Sequence, residues 1–449
     1  MPGRGILASY SLRFWAMVLL VGLGAGLGGA ALLELLGAVQ HLVWDYHSGE
    51  FLAAVERASS AHRVLALTAG GVLAGVAAVG LARVGGGGEV SEAIWLRGAR
   101  LPLWASLGRA VDSIVLVGFG ASLGLEGAPQ QTGAAVASAL SEWARLPDWQ
   151  RRLLVACGAG AGMAAVYNVP LGGALFALEV LLGTLTLPLV IPALATSLIA
   201  TAIAWIALPT HPFYSVPSYG LTGSQIAWAV LVGPIAGLAA VAWIRLIARA
   251  HSMRPAGAVR VLAPVAVFSA LGALAIAYPQ LLGNGKGIVQ MTLLDQLAVA
   301  VLAALLVLKP LVTAACLGSG APGGLFTPTL AYGVLLGGLL GTGWSEIWPA
   351  APAGSYAIIG GAAVLGAAMQ GPLAAVVLVL ELTRHSDALM VPILLAVVEA
   401  TVVTRLLRAP SIYSARIAAP ADDEAGSPGD PFLGLPDEPE PGPPIWPHD

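Results

Sequence analysis

Long apolar runs that contain no charged residue constrain this chain more than any other feature. Such runs cover residues 14–33, 64–82, 184–209 and 224–244, and each approaches or exceeds the ~20 residues that a helix needs to cross a bilayer core. Since 57% of the 449 residues are hydrophobic and only 10% are charged, a soluble globule could not enclose them. The runs predict an all-α, multi-pass protein of the cell (plasma or inner) membrane, with roughly ten to fourteen membrane-embedded helices.

The two ends of the chain differ in composition from this apolar body. The first run follows Arg4 and Arg13 and is longer than the ~7–15 residue core of a cleaved signal peptide. We therefore expect a retained helix with a cytoplasmic N-terminus. Residues 418–449 are rich in Pro, Gly, Asp and Glu, which predicts a disordered cytoplasmic tail after a membrane domain of residues 1–417. No CBS domain is expected.

Charge and ligand patterns argue against several classes of protein. The net charge of -3 indicates no large basic surface for nucleic acid. Cys157 and Cys316 are far apart in sequence, and the seven histidines form no pair at metal-ligand spacing. We expect no nucleic-acid partner, no metal and no cofactor.

The second part of the chain repeats elements of the first. GAGAGMAAVYNVPLGGALFALE at 158–179 aligns without gaps on GGAAVLGAAMQGPLAAVVLVLE at 360–381. Both segments have a Pro-Leu pair in the middle and a Leu-Glu pair at the end, and Glu179 falls on Glu381. Shared composition alone does not account for these matches at fixed positions.

A looser match sets residues 124–126 on residues 324–326, which read Gly-Leu-Glu and Gly-Leu-Phe. Two halves, roughly 60–210 and 225–410, with glycine and proline breaks in corresponding places are typical of transporters that bind their substrate near the midplane between repeats. Inversion of one half relative to the other is the commoner arrangement.

Three glycine-rich breaks are the places where chemistry is expected: residues 84–93, 124–133 and 318–330. Each precedes an apolar stretch, so each can place a helix N-terminus inside the membrane. Free N–H groups and the positive end of the helix dipole make such a start a site for an anion. Neutral donors also attract a permeant ion without trapping it.

Glu126 is the most informative single residue. A carboxylate at an intramembrane helix start occupies the place where an anion would bind, so Glu126 can act as a tethered competitor that opens the path when it is protonated or displaced. The alternative is that Glu126 caps its own helix, since acidic side chains suit helix N-termini.

Several segments together resemble the CLC family of chloride channels and chloride/proton exchangers. GLEGAP resembles the GREGP motif, GSGAPGGLFTP resembles the GxFxP region, and VGGGGEVSEA lies where GSGIPE is expected. YNVPLGGALFALE, MQGPLAAVVLVLE and SIYSARIA match further segments in the family order. The resemblance spans residues 84–418, and it implies a CLC-like fold with broken and re-entrant helices, chloride as the transported ion and a homodimer.

The resemblance also implies roles for individual residues. Glu126 corresponds to the external gating glutamate, with the Gly127 backbone beside it. Leu325 and Phe326 would offer backbone amides to the central anion. Tyr413 corresponds to the tyrosine whose hydroxyl binds that anion from the cytoplasmic side; without the resemblance, an interfacial belt tyrosine is the better interpretation.

Three departures from the family pattern bear on the mechanism. The serine of GSGIPE falls on Gly87 or Gly88, so one hydroxyl donor to the anion is missing and the selectivity is open. The arginine of GREGP is Leu125. The internal proton-transfer glutamate falls on Val180, and adjacent Glu179 is not an obvious substitute, because neighbours on an α-helix point about 100° apart.

Other charged residues have structural interpretations. Glu179 and Glu381 hold equivalent repeat positions, which favours a shared structural role with a fixed partner for each. Arg109 could pair with Asp112 one turn later, or it could supply positive potential behind the anion site. Lys309 is expected to snorkel or to be paired rather than to bind a ligand.

Taken together, the sequence predicts transmembrane chloride transport gated by Glu126, without standard proton coupling. The alternatives are chloride/proton antiport by a different internal route, or transport of another small anion such as fluoride or nitrate. A membrane enzyme would need a nucleophile and base or metal ligands at membrane depth, and no such set is visible. A cation-coupled solute carrier would be recognised by sodium-dependent uptake.

Overall fold

The computed structural model describes residues 10–46, 49–85, 88–384 and 386–417. The predicted tail, 418–449, and Gly87 lie outside these residues. Helices make up nearly all of the regular structure in the described part of the chain. The helices before residue 210 are α1 Leu12–Trp44, α2 Phe51–Arg57, α3 Ser60–Arg83, α4 Val90–Leu96, α5 Leu103–Gly118, α6 Gly127–Trp143, α7 Asp148–Tyr167, α8 Pro170–Leu175, a π-helix Phe176–Leu182, and α9 Leu187–Ala204.

A second set of helices follows residue 220 in the described part of the chain. They are α10 Gly223–Ser252, α11 Val259–Leu274, α12 Lys286–Leu293, α13 Val299–Gly318, α14 Phe326–Ile347, α15 Ala353–Met369, α16 Pro372–Thr383 and α17 Met390–Leu406. Short 3-10 turns at Pro279–Leu281, Asp387–Leu389 and Ser414–Arg416 complete the described regular structure.

Six helical stretches in the described residues are long and apolar enough to cross a membrane. They are α1, α3, α9, α10, α13 and Asp387–Leu406, which joins a 3-10 turn to α17. Others are shorter or more deeply enclosed, and α7 and α15 are buried along most of their length. The interior therefore consists of helices that other helices shield from lipid.

Two helices stop and restart in the same way. α7 ends where Asn168 adopts φ +58°, and α15 ends where Gln370 adopts φ +56°. Two residues later, Pro170 and Pro372 begin α8 and α16. Proline is favourable there, because the first helical position has no N–H partner to lose and φ is already helical. One local pattern, recurring 202 positions later, thus produces both breaks.

The buried helices pack through glycines at matching positions. A methyl group on Gly133 of α6 would overlap the carbonyl of Gly158 on α7. In the second half, a Cβ on Gly333 of α14 would lie 2.8 Å from the carbonyl oxygen of Gly360 on α15. Small residues let membrane helices approach closely and gain van der Waals contact. The α6–α7 and α14–α15 pairs are consequently built alike.

Glu179 and Glu381 cap each other's half of the molecule. Each carboxylate accepts two backbone N–H bonds at the start of the short helix in the opposite repeat. The donors are Leu373 N and Ala374 N to Glu179, at 3.1 and 2.6 Å, and Leu171 N and Gly172 N to Glu381, at 3.1 and 2.7 Å. Both glutamates have the fixed partner and the structural role expected from their place in the repeat.

Candidate functional site

Two glycine breaks meet face to face in the interior. Gly124 N donates to Gly324 O, and Gly324 N donates to Gly124 O, both at 2.8 Å, so the two segments pair antiparallel. The pairing places the start of α6, at Gly127, beside the start of α14, at Phe326. Two helix N-termini therefore converge on one region of the buried interior, as expected for the breaks of the sequence.

The side chain of Glu126 lies between these two helix starts, and it is 1% exposed. Its carboxylate accepts hydrogen bonds from Phe326 N at 2.6 Å, Tyr167 Oη at 3.0 Å and Thr327 Oγ1 at 3.3 Å. It makes no capping bond to its own helix, α6. The interpretation that Glu126 caps α6 is therefore wrong for this conformation, because the carboxylate caps α14 instead.

The carboxylate fits only because both paired glycines lack a side chain. A Cβ on either Gly124 or Gly324 would overlap the carboxyl group of Glu126. Neither glycine has a positive φ, so the requirement is for space rather than for an unusual backbone conformation. The glycine pair thus supplies both the hydrogen bonds that join the breaks and the room for the acid.

A cavity extends from Glu126 to one face of the protein. Gly127, Leu325 and Tyr413, three of the residues singled out from the sequence, line it together with Glu126. Phe326 contributes its amide to the Glu126 carboxylate. The Tyr413 hydroxyl lies 3.9 Å from the Met369 sulfur, which is a weak acceptor.

Gly88 contributes to the cavity wall only indirectly. Its carbonyl accepts a bond from the side chain of Gln131 at 3.0 Å, and Gln131 lines the cavity. A Cβ at Gly88 would lie 3.2 Å from a terminal nitrogen of Arg97 and 3.4 Å from a carboxylate oxygen of Glu92. A side chain at this position would therefore point toward the Arg97–Glu92 ion pair.

The mouth of the cavity holds a cluster of one acid and three arginines. Glu89 forms ion pairs with Arg416 at 3.0 Å, Arg109 at 3.5 Å and Arg254 at 3.8 Å. Among the described residues, no ion pair joins Arg109 to Asp112. The local i,i+3 pair predicted as one alternative for Arg109 is therefore wrong, and the residue faces the cavity instead.

This cluster keeps a positive charge at any physiological pH. Burial alone would raise the pKa of the Glu89 carboxyl, but the neighbouring guanidinium groups of Arg416, Arg109 and Arg254 lower that pKa to about 2. The ionised carboxylate offsets one of three cations. The surplus raises the local concentration of anions at the cavity mouth.

Residues 70–405 match the sequence model of the family described as "Voltage gated chloride channel". This match covers more than half of the chain. The chain belongs to the voltage-gated chloride channel family. Members of this family are channels or transporters rather than enzymes.

Bacterial relatives in the family match over nearly their whole length. A ClcB-like chloride channel protein of Ralstonia nicotianae is 34% identical over 420 residues, which cover 90% of this chain and 96% of the relative. The voltage-gated ClC-type chloride channel ClcB of Citrobacter koseri is 30% identical over 414 residues, with coverage of 88% and 96%. With its family match and its long apolar helices, this chain is an integral membrane protein.

Solved structures of voltage-gated chloride channel relatives share the fold. A slow cyanobacterial Cl-/H+ antiporter aligns with a TM-score of 0.79 at 21% identity, covering 90% of this chain and 97% of that one. A CLC-type fluoride/proton antiporter aligns with a TM-score of 0.73 at 20% identity, covering 91% and 98%. The predicted all-α, CLC-like fold is confirmed.

Val180 lies in a π-helix rather than in the α-helix expected from the sequence. Residues Phe176–Leu182 form a π-helix, so the α-helical winding assumed in comparing Glu179 with Val180 is wrong here. Val180 is 8% exposed and packs against Gly371. The carboxylate of the adjacent Glu179 is held by the start of α16.

Lys309 does not snorkel; its ammonium group is paired with oxygen acceptors inside the protein. The residue is 0% exposed, and its ammonium group donates to Ser122 Oγ at 2.8 Å, Gly283 O at 3.0 Å and Leu281 O at 3.2 Å. Three acceptors satisfy the three donors of the ammonium group. Lys309 thereby ties the segment that leads into Glu126 to the loop before α12.

Sequence reasoning missed two residues that hold the carboxylate, Tyr167 and Thr327, and the acid of the mouth, Glu89. All three lie inside segments that carry the family resemblance. The repeat offered a further signal, because Tyr167 aligns with Met369, whose sulfur lies near the Tyr413 hydroxyl. Glu89 and Thr327 are polar residues within the glycine-rich breaks, so their position was the signal that could have identified them.

Proposed function

We propose that this protein transports chloride across the membrane and that the Glu126 side chain is its gate. The observation that carries the proposal is the 2.6 Å bond from Phe326 N to the Glu126 carboxylate. A permeant anion and this carboxylate would compete for the same amide. Transport through this position requires the carboxylate to leave it.

The physics of the helix start favours such an exchange. The start of α14 carries roughly half a positive charge, which attracts either anion. Its donors are neutral, so a chloride held there can also leave. Leu325 and Gly127, beside Glu126 in the cavity wall, would offer further backbone contacts. In the described part of the chain the Tyr413 hydroxyl has a weak sulfur acceptor, Met369, as its hydrogen-bond partner, so it would be able to donate to an anion from the other side.

Proton coupling of the standard kind is not part of the proposal. Val180 cannot carry a proton, and the carboxylate of Glu179 caps α16. The protein would then pass chloride without a fixed proton stoichiometry. Chloride/proton exchange by another route, and transport of fluoride or nitrate, are the outcomes that would replace this part of the proposal.

The organisation of the chain is part of the proposal. Residues 1–417 would form the transport domain, from inverted halves of roughly 60–210 and 225–410, with the tail 418–449 disordered. The antiparallel pairing of Gly124 with Gly324 and the exchanged caps of Glu179 and Glu381 support this organisation.

The chain would act as a homodimer, a proposal that rests on the family resemblance. Disulfide cross-linking in membranes between cysteines introduced singly at half-exposed Leu171 or Leu373 would test it.

The decisive experiment records chloride efflux and proton movement together from liposomes that contain the purified protein. We expect chloride efflux without stoichiometric proton uptake. Glu126→Gln should raise the efflux, because a neutral amide competes less well than a carboxylate for the Phe326 amide. Glu142→Gln, an exposed acid in the last turn of α6, is the matched control and should leave the rate unchanged.

Each part of the proposal can fail separately. Proton uptake in fixed ratio to chloride would overturn the uncoupled mechanism. An efflux unaffected by Glu126→Gln would exclude Glu126 as the gate. Absence of chloride efflux together with rapid fluoride or nitrate flux would change the transported ion.

A further inference from the structure

A groove that shares no lining residue with the Glu126 cavity opens on the outside of the protein between α10, α11 and α13. It encloses about 520 Å³, within the range of ~300–1,000 Å³ that is usual for small-molecule sites. The walls are almost entirely aliphatic. They include Leu246 of α10, Met253 just after α10, Val259 of α11, and Leu311 and Ala315 of α13.

The groove is apolar and faces outward, so the bilayer is what adjoins it. Met253, Val259 and Leu311 are 68%, 58% and 49% exposed. Small residues, among them Ala315 and Gly318, leave the hollow between the helices. An apolar hollow of this size loses dispersion contacts if it stays empty, and a lipid acyl chain has the matching chemistry.

Arg249 gives one end of the groove a charge. It lies in the last turn of α10, lines the groove and is exposed. Among the described residues it has no ion pair, whereas nearby Arg254 pairs with Glu89. Arg260, in the first turn of α11, also has no ion pair in the described part of the chain. Within the described residues no acid pairs with Arg249 or Arg260, so this end of the groove is cationic.

Basic residues also assign this end to the cytoplasmic leaflet. The segment 245–260, around the end of α10, contains Arg245, Arg249, Arg254 and Arg260, whereas the segment 205–222 before α10 contains no Lys or Arg. Short segments rich in Lys and Arg mark the cytoplasmic side. That leaflet is also where anionic phospholipids attract basic residues near the surface.

We propose that the groove is a binding site for one anionic phospholipid of the cytoplasmic leaflet, with an acyl chain between α10, α11 and α13 and the phosphate at Arg249. An apolar groove and an unpaired arginine at its end match the two parts of such a lipid. A free anion would leave the aliphatic walls uncovered, and a zwitterionic lipid would leave the charge of Arg249 without a net counter-charge. The site is independent of the proposed transport function.

Native mass spectrometry of the full chain in detergent, titrated with dioleoylphosphatidylglycerol, tests the site. We expect one saturable adduct per chain that dioleoylphosphatidylcholine forms more weakly. Arg249→Gln should weaken the phosphatidylglycerol adduct about fivefold, the effect of one basic side chain near an anionic surface. Arg245→Gln, which removes an exposed arginine one turn away that does not line the groove, should not weaken it.

A second variant tests the apolar half. Ala315 is exposed to the groove, so Ala315→Phe would fill the hollow from a position with free space and should abolish both lipid adducts. Inorganic phosphate at millimolar concentration should not displace the lipid; displacement would assign the site to a free anion. Wild-type affinity in both Arg249→Gln and Ala315→Phe would overturn the proposal, as would equal losses in Arg249→Gln and Arg245→Gln.

Discussion

The segments that lead into α6 and α14 match in a Gly-Leu pair and diverge at the residue after it. Both follow a Gly-Leu pair, and the glycines of the two pairs bond to each other. The next residue is Glu126 in the first half and Phe326 in the second. The Glu126 side chain at the start of α6 extends to the start of α14, where the backbone amide of Phe326 donates to its carboxylate.

A difference in side chain at equivalent positions, Glu126 and Phe326, makes this site asymmetric although the backbone pairing is symmetric. Symmetry brings two helix N-termini together, and each attracts an anion equally well. A single acid in one repeat then occupies the start in the other. The proposed gate requires the Glu126 carboxylate to occupy the start of α14. Variants that remove this contact should therefore change chloride efflux most, variants that weaken it should change efflux less, and variants that leave it intact should not change efflux.

Removing the acid should have the largest effect. Glu126→Ala leaves both helix starts without a carboxylate and frees the Phe326 amide. The bond to a charged acceptor contributes roughly 1.5–3 kcal/mol, which corresponds to roughly a ten- to hundredfold change in occupancy. Chloride efflux from liposomes should rise toward that factor, and a rate within about twofold of wild type would remove the gate from the mechanism.

Crowding the acid should have the next largest effect. Gly324→Ala keeps the backbone pairing but puts a methyl group where the Glu126 carboxyl lies. Overpacking of this kind costs about 1–3 kcal/mol, so we expect efflux to rise on the order of fivefold. Gly343→Ala, also on α14 but with open space around it, is the control; equal rates for the two variants would contradict the steric argument.

Removing one of the side-chain donors should have a smaller effect. Tyr167→Phe deletes the hydroxyl that bonds to Glu126 but leaves Phe326 N and Thr327 in place. Efflux should rise roughly threefold. Tyr356→Phe removes another buried hydroxyl, one that contacts Ser224, and should not change the rate. A larger effect from Tyr356→Phe would point to general loosening of the fold.

The exchanged caps should have no effect on transport and equal effects on stability. Glu179→Ala and Glu381→Ala each leave two backbone amides without their acceptor, which costs at least about 1 kcal/mol. The melting temperature in detergent should fall by similar amounts, with chloride efflux unchanged. A change in efflux for Glu179→Ala alone would show that the two positions are not equivalent and that Glu179 has a separate role.

Local patterns in the sequence predicted a good part of this site. Proline after a polar residue encodes the breaks at Asn168 and Gln370, and glycine before an apolar stretch encodes the start of α14. The sequence could not specify which helix start Glu126 caps, since that depends on a backbone pairing between residues 200 positions apart.

Local sequence patterns could not predict the partners of the basic residues either, because those partners are distant in sequence. Arg109 has an acid at i+3, yet it pairs with Glu89 because the fold brings the residue that precedes α4 within 3.5 Å of it. Lys309 lies in an apolar run, and its three acceptors come from two other segments of the chain. Burial of a charge is decided by such tertiary neighbours.

The exchanged caps of Glu179 and Glu381 also bear on how the protein assembles. Until the two halves meet, the first amides of α8 and α16 lack acceptors, and an unsatisfied backbone group in hydrocarbon costs several kcal/mol. Neither half can therefore reach a low-energy arrangement alone after insertion. The second half supplies the acceptors for the amides of α8, and the first half supplies those for α16. The interior should therefore form as one cooperative unit. A chain cut between the halves would need both pieces in the same bilayer to fold.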